Sequence, residues 1–282
     1  MTSSPSPAAP RGPSGTLAFI GGGNMAAAIL GGLVASGRDP ASVVVVEPFE
    51  ATAASLRERF GVRVLAQGGP ELAAASLVVW AVKPQVFGEA AAPCAAHVRD
   101  ALHLSVMAGI RSDAIARATG TERVVRAMPN TPALIGRGIA GLYARAAVTA
   151  GDRAAIEAVL APTGRTLWVG DEVDLDAVTA LSGSGPAYVF YVVESMMKAA
   201  AAMGLDAAQG RELALATVEG ATALALQSSE SPEVLRARVT SKGGTTHAAI
   251  TSMEAAGVGP AIVEAILAAQ RRAKELGDEF GG

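Results

Sequence analysis

The stretch "VTSKGGTTHAAI", residues 239–250, sets two adjacent glycines among the hydroxyl-bearing residues Thr240, Ser241, Thr245 and Thr246, inside a region that otherwise reads as Ala-rich helix. With a helix starting near Thr246, the backbone N–H groups of Gly243, Gly244 and Thr245 can converge on an anion at the positive end of that helix. Glycine lets a ligand come close to the backbone, and Ser241 adds a hydroxyl donor. The same residues also fit a helix N-cap, with Thr245 or Thr246 satisfying N–H groups of its own helix. Spacing alone leaves both readings open.

A second motif, "LAFIGGGNMAAAIL", is an apolar strand, a glycine turn and an immediate helix. Gly21, Gly23 and Ala26 fit the template G-x-G-x-x-G/A, which permits a tight turn, close approach of backbone to a pyrophosphate, and close packing of helix on strand. The residues Gly21, Gly22, Gly23, Asn24 and Met25 are therefore the expected cradle for a dinucleotide. A second strand ends in Glu47. A carboxylate there can accept hydrogen bonds from the adenosine ribose and would repel a 2′-phosphate, which favours NADH over NADPH. Equally, Glu47 followed by Pro48 can serve the start of the next helix, whose first turn welcomes negative charge.

The elements that must hold these motifs follow a pattern. Apolar or β-branched runs ("TLAFI", "SVVVV", "VRVL", "LVVWAV", "ALHLSV", "RVVRAM", "GIAGLY") alternate with helix-length segments. Such alternation predicts an α/β, Rossmann-like doubly wound domain with a mostly parallel sheet, over residues 15–170. After Trp168 the strand-like runs stop and helical pattern continues to the end, at about 173–180, 186–203, 207–227, 232–239, 246–256 and 260–277. Residues 171–282 thus form an expected all-α domain. The opening "MTSSPSPAAPRGPSG" lacks the layout of a signal peptide, and residues 1–14 read as a disordered tail.

Composition narrows the function classes. Of 282 residues only 17% are charged, the net charge is −3, and half are hydrophobic. Neither a nucleic-acid surface nor an anionic-membrane surface is expected, and a small-molecule site is. Low charge together with helices apolar on more than one face points to helical surface covered by another subunit. The apolar segment "AYVFYVVESMMKAAAAM" is short for a membrane span and is read as a buried or intersubunit helix. Cys94 is the sole cysteine, so no intrachain disulfide can form, and its apolar setting fits an inert thiol. The histidines are far apart in sequence with no partners at ligand spacing, so no metal is expected.

Several phrases occur here in the order in which they occur in one family. "FIGGGNMAAAIL", "AVKPQ", "SVMAGI", "RAMPNTP", "LSGSGPAYVF" and "VTSKGGTTHAAI" make the chain resemble pyrroline-5-carboxylate reductase from residue 16 to about 275. The resemblance implies reduction of 1-pyrroline-5-carboxylate to L-proline with NADPH or NADH, in the cytoplasm, as the last step of proline biosynthesis. It also implies a helical C-terminal domain that pairs with a second subunit's, as a dimer or a ring of dimers. By resemblance Ala81, Val82, Lys83 and Pro84 contact the cofactor, as do Ala108 and Gly109 of "MAGI", and Asn130 touches its nicotinamide side. Ser241, Gly243, Gly244 and Thr245 then bind the substrate carboxylate, and Thr246 hydrogen-bonds the ring nitrogen as the catalytic residue. Two departures stand out: Lys242 replaces a frequent Pro, and Gly68 replaces a frequent Asn near the cofactor, which with Glu47 inclines the reading toward NADH. A β-hydroxyacid dehydrogenase shares the layout but needs a helix lysine, and residues 182–197 contain no Lys or Arg. The same layout would also serve a related imine oxidoreductase, or a non-catalytic nucleotide-binding protein built on this fold.

Overall fold

The computed structural model describes residues 15–280, so the tail expected at 1–14 lies outside the described residues. Their contacts divide the chain into two compact units, 15–183 with 269–280, and 184–268.

In the first unit eight strands form one sheet in the order β3-β2-β1-β4-β5-β6-β7-β8. They are β1 (Thr16–Ile20), β2 (Val43–Val46), β3 (Arg63–Leu65), β4 (Ala75–Trp80), β5 (Leu102–Ser105), β6 (Val124–Met128), β7 (Gly138–Ala144) and β8 (Gly164–Trp168). Helices α1 (Asn24–Ala35), α2 (Glu50–Phe60), α3 (Phe87–Ala91), α4 (Ala95–Val98), α5 (Ser112–Thr119) and α6 (Ala150–Leu160) connect them. A short α7 (Asp174–Val178) leads into a π-helical turn, Thr179–Gly183.

The apolar runs become strands because both faces of the sheet are covered. Phe19, Val45 and Val79 join Ile29 and Leu30 of α1 and Ile156 of α6 on one face. Ile20, Val46 and Trp80 join Phe87, Val98 and Ile115 on the other, as alternation along a strand requires. Two features go beyond the sequence reading of a mostly parallel sheet. β7 runs antiparallel to β6, because residues 129–137 are too few for a crossover. β8, which the sequence reading does not contain, pairs parallel with β7 after α6.

Inside the sheet, Trp80 Nε1 donates to His103 Nδ1 at 2.9 Å, so the His103 proton sits on Nε2, 3.0 Å from Val98 O. Both side chains are fully buried. Burial is the main cause that lowers the His103 pKa from 6.5 to about 4. Between those values only the unfolded chain takes up the proton, so stability should fall as pH drops from 6.5 to 4, by about 3 kcal/mol. Urea unfolding of His103→Gln across the same window should lose that slope; an acid slope equal in both proteins would contradict this account. Cys94 is fully buried, donates to Ala90 O at 3.2 Å, and has a thiol pKa pushed up to about 11 by burial.

The second unit is built from α8 (Gly185–Ala202), α9 (Ala207–Gln227), α10 (Pro232–Arg238), α11 (Thr245–Ala255) and the first part of α12 (Val258–Phe280), whose remainder from Ala269 belongs to the first unit. Helix α9 starts on a capping box in which Asp206 and Gln209 exchange backbone hydrogen bonds. The apolar helix α8 is only partly covered: Val193 and Ala200 are buried, but Phe190 is 65% and Tyr191 71% exposed. Among the described residues no single helix is long and apolar enough to cross a membrane.

Candidate functional site

The carboxyl ends of β1, β2, β4, β5 and β6 lie on one edge of the sheet, and chain order reverses between β1 and β4. That switch point is where open α/β sheets bind ligands. Gly21 N donates to Val46 O at 2.9 Å, and Ala81 N to Ile20 O at 2.8 Å, so the turn after β1 is tied to both neighbouring strands. Gly21 has φ +98°, and an added Cβ would lie 2.7 Å from Ala81 O. Only glycine fits there. At Gly23, by contrast, an added Cβ would meet no protein atom within 4 Å. Packing does not demand glycine at Gly23, whereas close approach of a pyrophosphate does.

Helix α1 starts at Asn24 with Gly23 as N-cap and no side-chain cap. Its first N–H groups therefore lack intrahelical acceptors and present a positive end toward the cradle. Ala26 is fully buried, giving the close helix packing expected at the third template position. Asn24 is exposed and Met25 half-buried. These features fit a bound dinucleotide: a glycine-lined turn, open space at Gly23 and an uncapped helix start.

Glu47, 7% exposed, is fixed by two backbone donors: Gly22 N lies 2.9 Å from Oε2 and Phe49 N lies 3.0 Å from Oε1. Gly22 has no room for a side chain, since a Cβ would lie 2.5 Å from Leu56 Cδ1. Among the described residues no cation is within ion-pair distance of Glu47, and the one charge on the next turn, Glu50, is paired with Arg57 at 2.8 Å. The carboxylate is thus preorganised and uncompensated beside the glycine turn. Its oxygens keep lone pairs for further donors. At Gly68 a Cβ would fall 2.3 Å from Cys94 Sγ, so the missing side chain is tied to the packing of that thiol.

Ala81 and Val82 are half-buried beside Gly21, and Lys83 is exposed at the head of a short turn that Pro84 begins. Ala108, exposed, and Gly109 follow β5 at the same edge. Asn130 follows β6, but the protein already occupies its amide: Oδ1 accepts from Ile139 N at 3.0 Å, and Nδ2 donates to Ser182 O and Oγ, each at 3.3 Å. No signal in the sequence paired Asn130 with Ser182.

In the second unit the Gly-Gly-Thr-Thr run opens α11, which starts at Thr245, one residue earlier than expected. Gly244 is the N-cap and no side chain caps the helix, so neither threonine plays the N-cap role that the sequence left open. Gly243 has φ +79°, which glycine alone takes up readily. One expectation is corrected: the Gly244 N–H is not available to an anion, because it closes a turn onto Ser241 O at 3.0 Å. Ser241, Lys242, Gly243 and Thr245 are exposed and Thr246 is half-buried. Among the described residues none is hydrogen-bonded to the Thr246 hydroxyl, and no group of His, Cys, Asp and Glu could hold a metal.

Strand order, glycine turn and buried strand-end carboxylate define an α/β protein of the nicotinamide-dinucleotide-binding oxidoreductase class. The model for the family described as NADP oxidoreductase coenzyme F420-dependent matches residues 16–109, and that for pyrroline-5-carboxylate reductase dimerisation matches residues 172–276. The chain is 40% identical over 267 residues to the pyrroline-5-carboxylate reductase of Pseudomonas aeruginosa, covering 94% of this chain and 98% of that one. It superposes on the Coxiella burnetii pyrroline-5-carboxylate reductase structure with a TM-score of 0.85 at 34% identity, covering 94% and 99% of the two chains. A Plasmodium falciparum pyrroline carboxylate reductase structure with NADP bound gives 0.83 at 25% identity, covering 94% and 98%. The chain belongs to the pyrroline-5-carboxylate reductase family.

Proposed function

We propose that the protein reduces 1-pyrroline-5-carboxylate to L-proline, the last step of proline biosynthesis, using a reduced nicotinamide dinucleotide. The observation that carries this reading is the near full-length identity with the P. aeruginosa reductase. When bound, the nicotinamide supplies the hydride that reduces the imine carbon, and the ring nitrogen ends protonated. The chain's own task is to bind, orient and hold a proton. Gly21 to Met25, Ala81 to Pro84, Ala108 and Gly109 line the dinucleotide. The N–H groups of Gly243 and Thr245 and the Ser241 hydroxyl bind the carboxylate, and the Thr246 hydroxyl holds the ring nitrogen in line. Lys242, exposed beside them, adds positive charge that attracts the anion.

For the dinucleotide we assign NADH over NADPH, on the uncompensated Glu47 and on Gly68. Dinucleotide binding falls to the unit of 15–183 with 269–280 and substrate binding and dimerisation to that of 184–268, so the boundary read at 170 moves to 183 and the end of α12 changes sides; the assembly is a homodimer or a ring of dimers. The exposed Phe190 and Tyr191 of α8 and Leu224 and Leu226 of α9 support burial against a second copy. The cytoplasm is the compartment that suits an enzyme fed by reduced dinucleotide. The test is direct: purified protein mixed with pyrroline-5-carboxylate and either dinucleotide should oxidise it, with proline as product. Absence of oxidation with both would remove the proposal.

A further inference from the structure

We propose that Asn130 is a positioning residue for this reduction, acting through the π-helical turn Thr179–Gly183 and not by touching the dinucleotide or the imine; the inference rests on the functional reading above. Asn130 stands two residues past Met128, the end of the last strand of the parallel set, on the ligand-binding edge of the sheet. It heads the short turn Thr131–Ile135 but does not cap it with its side chain. Both ends of the amide go elsewhere, Oδ1 to the start of β7 and Nδ2 to Ser182 inside the π-helical turn. The assignment of oxygen and nitrogen is fixed by chemistry: the flipped amide would set N–H against N–H and oxygen against a carbonyl.

A π-helical turn is an uncommon, wider arrangement, and it persists where contacts outside the helix hold it. The approach to this one is anchored to the sheet. Arg126 Nη1, on a buried side chain of β6, donates to Glu172 Oε1 at 2.8 Å, and the Ser112 hydroxyl donates to Glu172 Oε2 at 2.6 Å. Arg111 pairs with Asp176 at 3.1 Å. At Gly141 of β7 an added Cβ would lie 2.7 Å from Val178 Cγ1, so α7 sits hard on the strand. Asn130 extends this anchorage to the far end of the turn, where a Cβ on Gly183 would lie 2.7 Å from Met128 Cε. The strand end and the turn therefore form one wall of the half of the crevice beyond β4, where the nicotinamide of a bound dinucleotide lies. Release of the turn shifts that wall, and hydride transfer is sensitive to sub-ångström changes in approach.

The test is Asn130→Asp, which keeps the size and the acceptor for Ile139 N but turns oxygen toward Ser182 O. kcat should fall about tenfold, with substrate KM and NADH dissociation constant within about threefold of the parent. Ser182→Ala keeps the backbone acceptor and should lose less than threefold, and the double variant should be no slower than Asn130→Asp. Unchanged kcat would overturn the proposal, and so would a loss confined to NADH affinity, which would put the amide on the ligand. Should Asn130→Asp not fold, Asn130→Ser, with a shorter donor, carries the same expectations. If the parent protein does not reduce the imine, the functional reading fails, and hydrogen exchange still decides this one: amides 179–183 should exchange faster in Asn130→Asp, and equal protection would refute it.

Discussion

Thr246→Ala should lower kcat for pyrroline-5-carboxylate about a hundredfold while leaving NADH affinity and thermal stability close to the parent's. Hydrogen bonds to charged groups contribute about 1.5–3 kcal/mol, and the ring nitrogen gains electron density as hydride adds to the imine carbon, so a hydroxyl donor beside it strengthens in the transition state. Loss of stability should be small because Thr246 does not cap α11, and none of the described residues is hydrogen-bonded to its hydroxyl. Alanine is also a better helix former than threonine. Thr246→Ser keeps the hydroxyl and should recover most of the rate. Steady-state kinetics with dinucleotide titrations separate the possibilities: a variant that binds NADH poorly yet turns over normally when saturated would assign Thr246 to the cofactor instead.

The second large effect concerns the choice between dinucleotides. An added phosphate about 5 Å from an unpaired carboxylate costs about 3 kcal/mol at an effective dielectric near 20, and water in the crevice reduces this. The parent protein should therefore favour NADH over NADPH in kcat/KM by roughly tenfold to a hundredfold. Glu47→Gln removes the charge and keeps one acceptor for the two backbone N–H groups, so the NADPH to NADH ratio should rise by a similar factor. Damage to the turn lowers both rates and leaves the ratio alone, which is why the ratio is the quantity to measure. A parent that prefers NADPH would mean that Glu47 serves only to brace Gly22 and Phe49.

The fold was readable where burial imposes a pattern. Runs such as "VVVV" at 43–46 are buried on both faces and admit few other conformations. The eighth strand was not, because "GRTLW" alternates exposed and half-buried residues at the sheet edge and carries no continuous apolar run. The reversal into β7 depends on a connection length that sequence pattern alone did not convert into direction. For the candidate site, the glycine turn was legible because its template encodes a steric demand that Gly21 meets at Ala81. Pairings over long separations were not. Glu47 with Gly22, Arg126 with Glu172 and Asn130 with Ser182 each join residues whose types are unremarkable alone. Helix α8 shows the limit of hydrophobicity as a guide, since Phe190 and Tyr191 are exposed in the single chain although their segment is among the most apolar in the sequence.

Helix α12 ties the end of the chain back to its first half. Its final segment belongs to the first unit, where the Arg111 guanidinium lies against the backbone of Gly277, so closely that a Cβ there would fall 2.5 Å from Nη2, and reaches Asp278 at 3.9 Å. The dinucleotide half is therefore a discontinuous module, and a gene fragment ending at Gly183 would leave Arg111 stripped of part of its surroundings. Grafting this half onto another reductase calls for both pieces of sequence, or for a circular permutant that joins them.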